Sequence, residues 1–126
     1  MISFNMRNVN IVEFKVVGEF TFKEFRDAMI RFFNSPEYKD ELDYIWDFRE
    51  STGNAFTPDK IYSVAIYVEN ISKKRKGKRK TAIIIRTDLG FDLAKKFQSY
   101  AVVKTTTVKT FKSIEPAEEW IVQEDE

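Results

Sequence analysis

Five carboxylates fall within the short stretch 40–50: Asp40, Glu41, Asp43, Asp47 and Glu50. Paired acids can cleave a glycosidic bond or hold a divalent cation. Asp47 is the best placed, at the carboxyl end of an expected central strand, where ligands of open α/β sheets gather. Arg49, two residues on, is equally suited to be its salt-bridge partner. The spacing matches no enzyme signature, so capping and surface solvation are the expected roles of these acids. The chain holds no Cys and no His. Disulfides, zinc sites with sulfur or imidazole ligands, thiol nucleophiles and Ser-His-Asp triads are therefore excluded within one chain. Acid–base work would fall to Asp, Glu, Lys or Tyr alone. No catalytic residue, metal ligand or cofactor is assigned, and a non-enzymatic role is the expectation.

A second cluster is cationic. Lys73, Lys74, Arg75, Lys76, Lys78, Arg79 and Lys80 are seven of the 21 basic residues, in a chain whose formal charge is only +1. The near-neutral total thus describes an acidic body carrying one basic segment. Clustered Lys and Arg can contact nucleic-acid phosphates or anionic lipid headgroups. No aromatic residue is interleaved to stack on bases, and the segment joins a helix to a strand. A solvated loop is its plainest role, with anionic-surface binding second.

These groups must be positioned by one domain. At 126 residues the chain can bury a core without staples. Its twelve phenylalanines exclude a disordered chain, which lacks the apolar surface to offset ordering entropy. No run approaches the roughly 18 apolar residues of a membrane span. The first residues lack a basic region followed by an apolar one, so no signal peptide is read. The expectation is a cytoplasmic protein with no transmembrane segment.

Ile2, Phe4 and Met6, then Val12, Phe14 and Val16, alternate with polar residues, the period of half-buried strands. A hairpin with its turn at 7–10 is predicted, ended by Gly18. Thr21 and Glu24 form a capping box, with Phe20 and Phe25 as its hydrophobic staple. Phe22, Phe25, Met29, Phe32 and Phe33 give that helix an apolar face. A strand is predicted over 44–48 and a polar loop over 49–56. Thr57 as N-cap and Pro58 at the first helical position start a second helix, with Ile61, Val64, Ala65, Val68 and Ile71 as its buried stripe. Ile83, Ile84 and Ile85 suit a strand buried on both faces. Asp88 is expected to cap a third helix, with Leu89, Leu93, Ala94, Phe97 and Tyr100 buried. A last strand over 105–111 and a helix capped by Ser113 close the chain. A cleft between the helices at 57–72 and 88–100, lined by Tyr62, Ile66, Phe91 and Leu93, is a further place for an apolar ligand.

The order β-β-α-β-α-β-α-β-α implies an α/β domain spanning residues 1–126, with a mostly parallel five-stranded sheet, an N-terminal antiparallel hairpin and about four helices. Connections of this length are right-handed. Val16-Val-Gly18-Glu-Phe-Thr21, Trp46-Asp-Phe-Arg49, Lys80-Thr-Ala-Ile-Ile-Ile85, Phe91-Asp-Leu-Ala94-Lys-Lys-Phe97 and Thr110-Phe-Lys-Ser113-Ile-Glu-Pro-Ala117-Glu-Glu-Trp120 carry a resemblance. Over nearly its whole length the chain resembles the SpoIIAA-like branch of the STAS superfamily (sulfate transporters and anti-sigma-factor antagonists).

The resemblance implies a regulatory module that acts through protein contacts, switched at a Ser or Thr where a helix follows a central strand. The matching region holds Asp47, Arg49, Ser51 and Thr52. The cap Thr57 lies several residues downstream, a departure from the pattern. A phosphate there would meet the N–H groups of the next helix; a polar turn is the plain alternative. The expected partner is a protein, a second copy of the chain included, with anionic lipid or nucleic acid as the alternative.

Overall fold

The structure is a computed structural model that describes residues 1–52, 57–72, 79–100 and 106–123. β1 (Ile2–Asn8) and β2 (Ile11–Glu19) form the hairpin, with Phe4 opposite Phe14. α1 (Phe22–Phe33), β3 (Asp43–Thr52), α2 (Pro58–Ser72), β4 (Arg79–Ile84), α3 (Asp88–Tyr100), β5 (Thr106–Phe111) and α4 (Ile114–Ile121) follow. The sheet order is β1-β2-β3-β4-β5, antiparallel at the first pair and parallel thereafter.

That order never reverses. Right-handed crossovers that all step in one direction put α1, α2 and α3 on the same face. The sheet accordingly has no switch point of the kind that opens a ligand crevice in doubly wound folds.

The main core lies between this face and the three helices. Val12, Phe14 and Val16 from β2, Tyr44, Trp46 and Phe48 from β3, and Ile83 from β4 meet Phe25, Met29 and Phe32 of α1. Phe14 stacks on Trp46 with ring centroids 4.3 Å apart and planes 5° from parallel. Tyr67 of α2 meets Phe25 edge-on at 5.5 Å, which docks α2 on α1. A smaller core on the other face joins Ile45, Ala82, Ile84 and Phe111 to Ala117 and Ile121 of α4. β3 and β4 are thus buried on both faces, and both Ile45 and Trp46 point inward, on opposite sides.

Local signals mostly act as expected. The Thr21 hydroxyl accepts from the Glu24 N–H at 3.1 Å, and Phe20 packs on Phe25 with centroids 6.1 Å apart. The Glu24 carboxylate instead turns to the Met1 ammonium, 2.9 Å away. Four positions differ from expectation. Gly18 does not end β2; it sits within the strand at φ +77°, a conformation glycine adopts freely. Thr87, not Asp88, caps α3, its hydroxyl accepting from the Gly90 N–H at 3.1 Å. Leu89 is 63% exposed, because Asp88 and Leu89 begin the helix on its outer side. Ser113 stands at the N-cap of α4 without a side-chain bond to it.

Candidate functional site

The carboxyl end of β3 is where the acid cluster and the expected switch residues fall. β3 runs to Thr52, beyond the predicted 44–48. Its register against β2 steps from Lys15↔Asp47 to Val17↔Glu50, so β3 carries one extra residue and bulges there. After the bulge Glu50, Ser51 and Thr52 pair with Val17, Gly18 and Glu19. Ser51 and Thr52 therefore lie on a strand, and the predicted loop over 49–56 is corrected at its first four positions. The cause is the ladder offered by the far end of β2, which alternation in β3 alone does not reveal.

Asp47 locks the bulge. Its carboxylate accepts from the Arg49 main-chain N–H at 2.9 Å, from Nε at 3.0 Å and from Nη2 at 2.8 Å. Burial pushes this carboxyl up, but the hydrogen bonds and charge of Arg49 outweigh it and hold it below its ordinary value. The guanidinium is correspondingly raised, first by its bond to Asp47. A carboxylate engaged in this way holds backbone in place. The Ser51 hydroxyl donates to the Phe48 carbonyl at 2.8 Å, Thr52 is exposed, and Arg86 donates to the Arg49 carbonyl at 3.0 Å.

The other carboxylates disperse. Glu50 pairs with Lys15 at 2.6 Å, Asp43 accepts from the Lys80 main-chain N–H at 2.9 Å, and Asp40 accepts from the Tyr38 hydroxyl at 2.7 Å. Among the described residues no group of three or more acids could hold a metal ion. Thr57 caps α2 as its sequence predicts, its carbonyl accepting from Ile61 at 2.9 Å and its hydroxyl facing the Lys60 N–H at 3.4 Å.

The basic segment divides. Lys73, Lys74, Arg75, Lys76 and Lys78 lie outside the described residues. Arg79 and Lys80 belong to β4. Arg79 Nε donates to the Asp40 carbonyl at 2.9 Å. Lys80 is only 7% exposed. Its ammonium donates to the carbonyls of Trp120, at 2.9 Å, and Gln123, and sits 5.2 Å from the Trp120 ring centroid. These carbonyls end α4, where a cation meets the negative end of the helix dipole. Lys80 is thus buried in the body rather than presented to an anionic surface.

A cavity of about 60 Å³ lies beneath α2. Phe20, Phe25, Trp46, Ile61, Val64, Val68, Ile71, Ile83, Phe97 and Val108 supply most of its wall, and Tyr44, Lys60, Thr81 and Thr106 its polar groups. The wall takes the inner stripe of α2 that the helical periodicity identifies. The cleft expected at Tyr62 and Ile66 is not on this side: those residues are 69% and 42% exposed, on the outer face of the helix. Sequence reasoning missed Thr106 and Thr81. Their only signal is a hydroxyl at inward positions of strands whose neighbours are apolar.

Neither family models nor curated proteins match the sequence. A solved structure does: an uncharacterised protein of the DUF3478 family from Shewanella loihica PV-4, described as having a SpoIIAA-like fold. Its TM-score is 0.61 at 17% identity, covering 96% of this chain and 92% of that one. With the strand order, the single-faced crossovers and the N-terminal hairpin, this establishes that the chain has a SpoIIAA-like fold.

Proposed function

We propose that the protein is a non-catalytic binding module whose ligand site is the apolar cavity beneath α2. The observation that carries this is the cavity itself, about 60 Å³ in the main core, walled from α1, α2, α3 and the sheet. Protein interiors pack as densely as organic crystals and keep few voids larger than a water. Side chains that line such a space lack packing partners on that side, contacts that an apolar guest would supply. The test is a titration with xenon, an apolar guest small enough for this volume, followed through the methyl NMR signals of Val64, Val68, Ile83 and Val108. Saturable shifts at these methyls are expected in the unaltered chain. Val64→Met, which fills the space, removes them; shifts that persist unchanged in this variant would sink the reading.

A second reading follows the fold likeness: a cytoplasmic regulatory module that contacts a protein partner through the carboxyl end of β3, switched by phosphorylation. Its support is the exposed Thr52 beside Ser51 at the carboxyl end of β3, where an added phosphate would be accessible. Intact-mass analysis of protein from its native cells decides it, since a switch at Ser51 or Thr52 requires a phosphorylated fraction. In the remaining alternative, Lys73 to Lys78 bind an anionic lipid or nucleic-acid surface; removing those charges tests it.

A further inference from the structure

The two outer strands of the sheet are finished differently. At the β5 edge Gln98 of α3 accepts from the Thr110 main-chain N–H through Oε1 at 3.2 Å, and Lys109 stands exposed in mid-strand. Caps and charges of this kind keep an edge strand from pairing with another chain. β1 reads Ile2-Ser-Phe-Asn-Met6, without charge or proline. Its one such cap among the described residues is at the start, where Arg31 Nη2 donates to the Ile2 carbonyl at 3.0 Å.

Which groups of β1 stay open follows from its register. Met1 and Val17 exchange both main-chain bonds, at 2.7 and 2.9 Å, so theirs is a hydrogen-bonded pair, and pair type alternates along the ladder. Ser3 and Asn5 therefore bond Lys15 and Glu13. Phe4 and Met6, opposite Phe14 and Val12, point N–H and C=O away from β2. Their side chains are half-buried on the helix face, while Ser3 and Asn5 are exposed on the other.

We infer that this edge pairs with β1 of a second copy of the chain, antiparallel about a two-fold axis at Asn5. The four open groups select that occupant and that register. With Asn5 opposite the partner's Asn5, Phe4 meets the partner's Met6 and Met6 the partner's Phe4. Four main-chain hydrogen bonds then satisfy all four groups. An axis at Phe4 would instead set Met6 against Ile2, whose carbonyl Arg31 already holds. The pairing opposes no like charges: Asn5 meets a neutral amide, and Ser3 faces Arg7. On the helix face it seats methionine against an aromatic ring, a favourable contact, and covers both half-buried side chains. An isologous contact closes on itself and gives a dimer, not a fibre.

Sedimentation of the full chain from about 1 μM to 1 mM, the range for a contact of modest size, tests this alongside amide exchange by NMR. The apparent mass is expected to double with concentration. The Phe4 and Met6 amides, open in the single chain, should slow in step, about tenfold when nine in ten chains are paired. Asn5→Lys and Asn5→Asp each set like charges across the axis and stay monomeric where the unaltered chain is paired; an equimolar mixture of the two pairs again. Thermal midpoints show whether these variants fold, and the amide readout in the unaltered chain decides the matter if they do not. A chain that stays monomeric throughout overturns the inference, in favour of a strand from another protein. So does a dimer that leaves the Phe4 and Met6 amides fast, or one indifferent to either charge at Asn5.

Discussion

Arg49 closes a three-bond clamp on Asp47, two residues earlier on the same strand, through its main-chain N–H and the Nε and Nη2 of its guanidinium. The clamp fixes the bulge that lets β3 reach Gly18 and Glu19 of β2. Of the two roles that the sequence offers Asp47, best-placed acid of its cluster or salt-bridge partner of Arg49, the clamp is the second.

The clamp sets an acid limit on stability. The Asp47 carboxyl is held below its ordinary value in the folded state, so the ionised form favours folding. That contribution is complete above the unfolded-state value of about 3.9 and is lost as pH falls through it towards the folded value. Asp47→Asn is expected to destabilise the protein by about 1–3 kcal/mol at neutral pH. The lower part of that range is favoured because the Arg49 side chain, 35% exposed, can regain water. Urea unfolding at pH 7 and pH 3 checks this: the gap between the variant and the unaltered chain narrows at the lower pH.

Lys80 fastens α4 to the sheet through the carbonyls of Trp120 and Gln123. Lys80→Met keeps the apolar stem and removes the charge and both bonds. A loss of about 1–3 kcal/mol is expected, with hydrogen exchange accelerated in α4 before the rest of the fold. Uniform acceleration across the sheet would count against a local fastening role.

Two glycines should resist alanine for different reasons. At Gly18 nothing lies within 4 Å of an added Cβ, and the obstacle is the +77° φ; a loss of about 1 kcal/mol is expected. At Gly90 an added Cβ would come within 2.6 Å of both Ile85 Cδ1 and Thr87 Oγ1, so crowding at the α3 cap sets the penalty. Asn, which tolerates positive φ, should be milder than Ala at Gly18 and harsher at Gly90. Thermal midpoints of the four variants check the contrast.

If the basic segment meets duplex DNA, five cations are available to it, since Arg79 and Lys80 are engaged in the body. The log–log salt slope should then not exceed about −4.5 in magnitude, against about −6 for all seven. Replacing Lys73, Lys74, Arg75, Lys76 and Lys78 by Gly and Ser should abolish the slope and leave the thermal midpoint nearly unchanged. A slope near −6 would mean that Arg79 and Lys80 leave their partners on binding.

The sequence by itself determined the elements and most of the core. Period-two and helical apolar spacing, the Thr21 and Thr57 caps and the isoleucine run at 83–85 are local or near-local signals, and each acts within a few residues of where it is written. The inner stripe of α2, which walls the cavity, was legible in the same way. Tertiary structure alone decided what depends on a partner strand or helix distant in sequence. The bulge at Asp47 exists because β2 offers a ladder beyond it, so period-two alternation alone ends the strand at 48, short of Ser51 and Thr52. Lys80, written in a run of cations, is buried because the carbonyl end of α4, forty residues on, lies over it. Thr106 is an ordinary strand residue in the sequence; only the packing of α2 over the sheet leaves its hydroxyl buried beside a cavity.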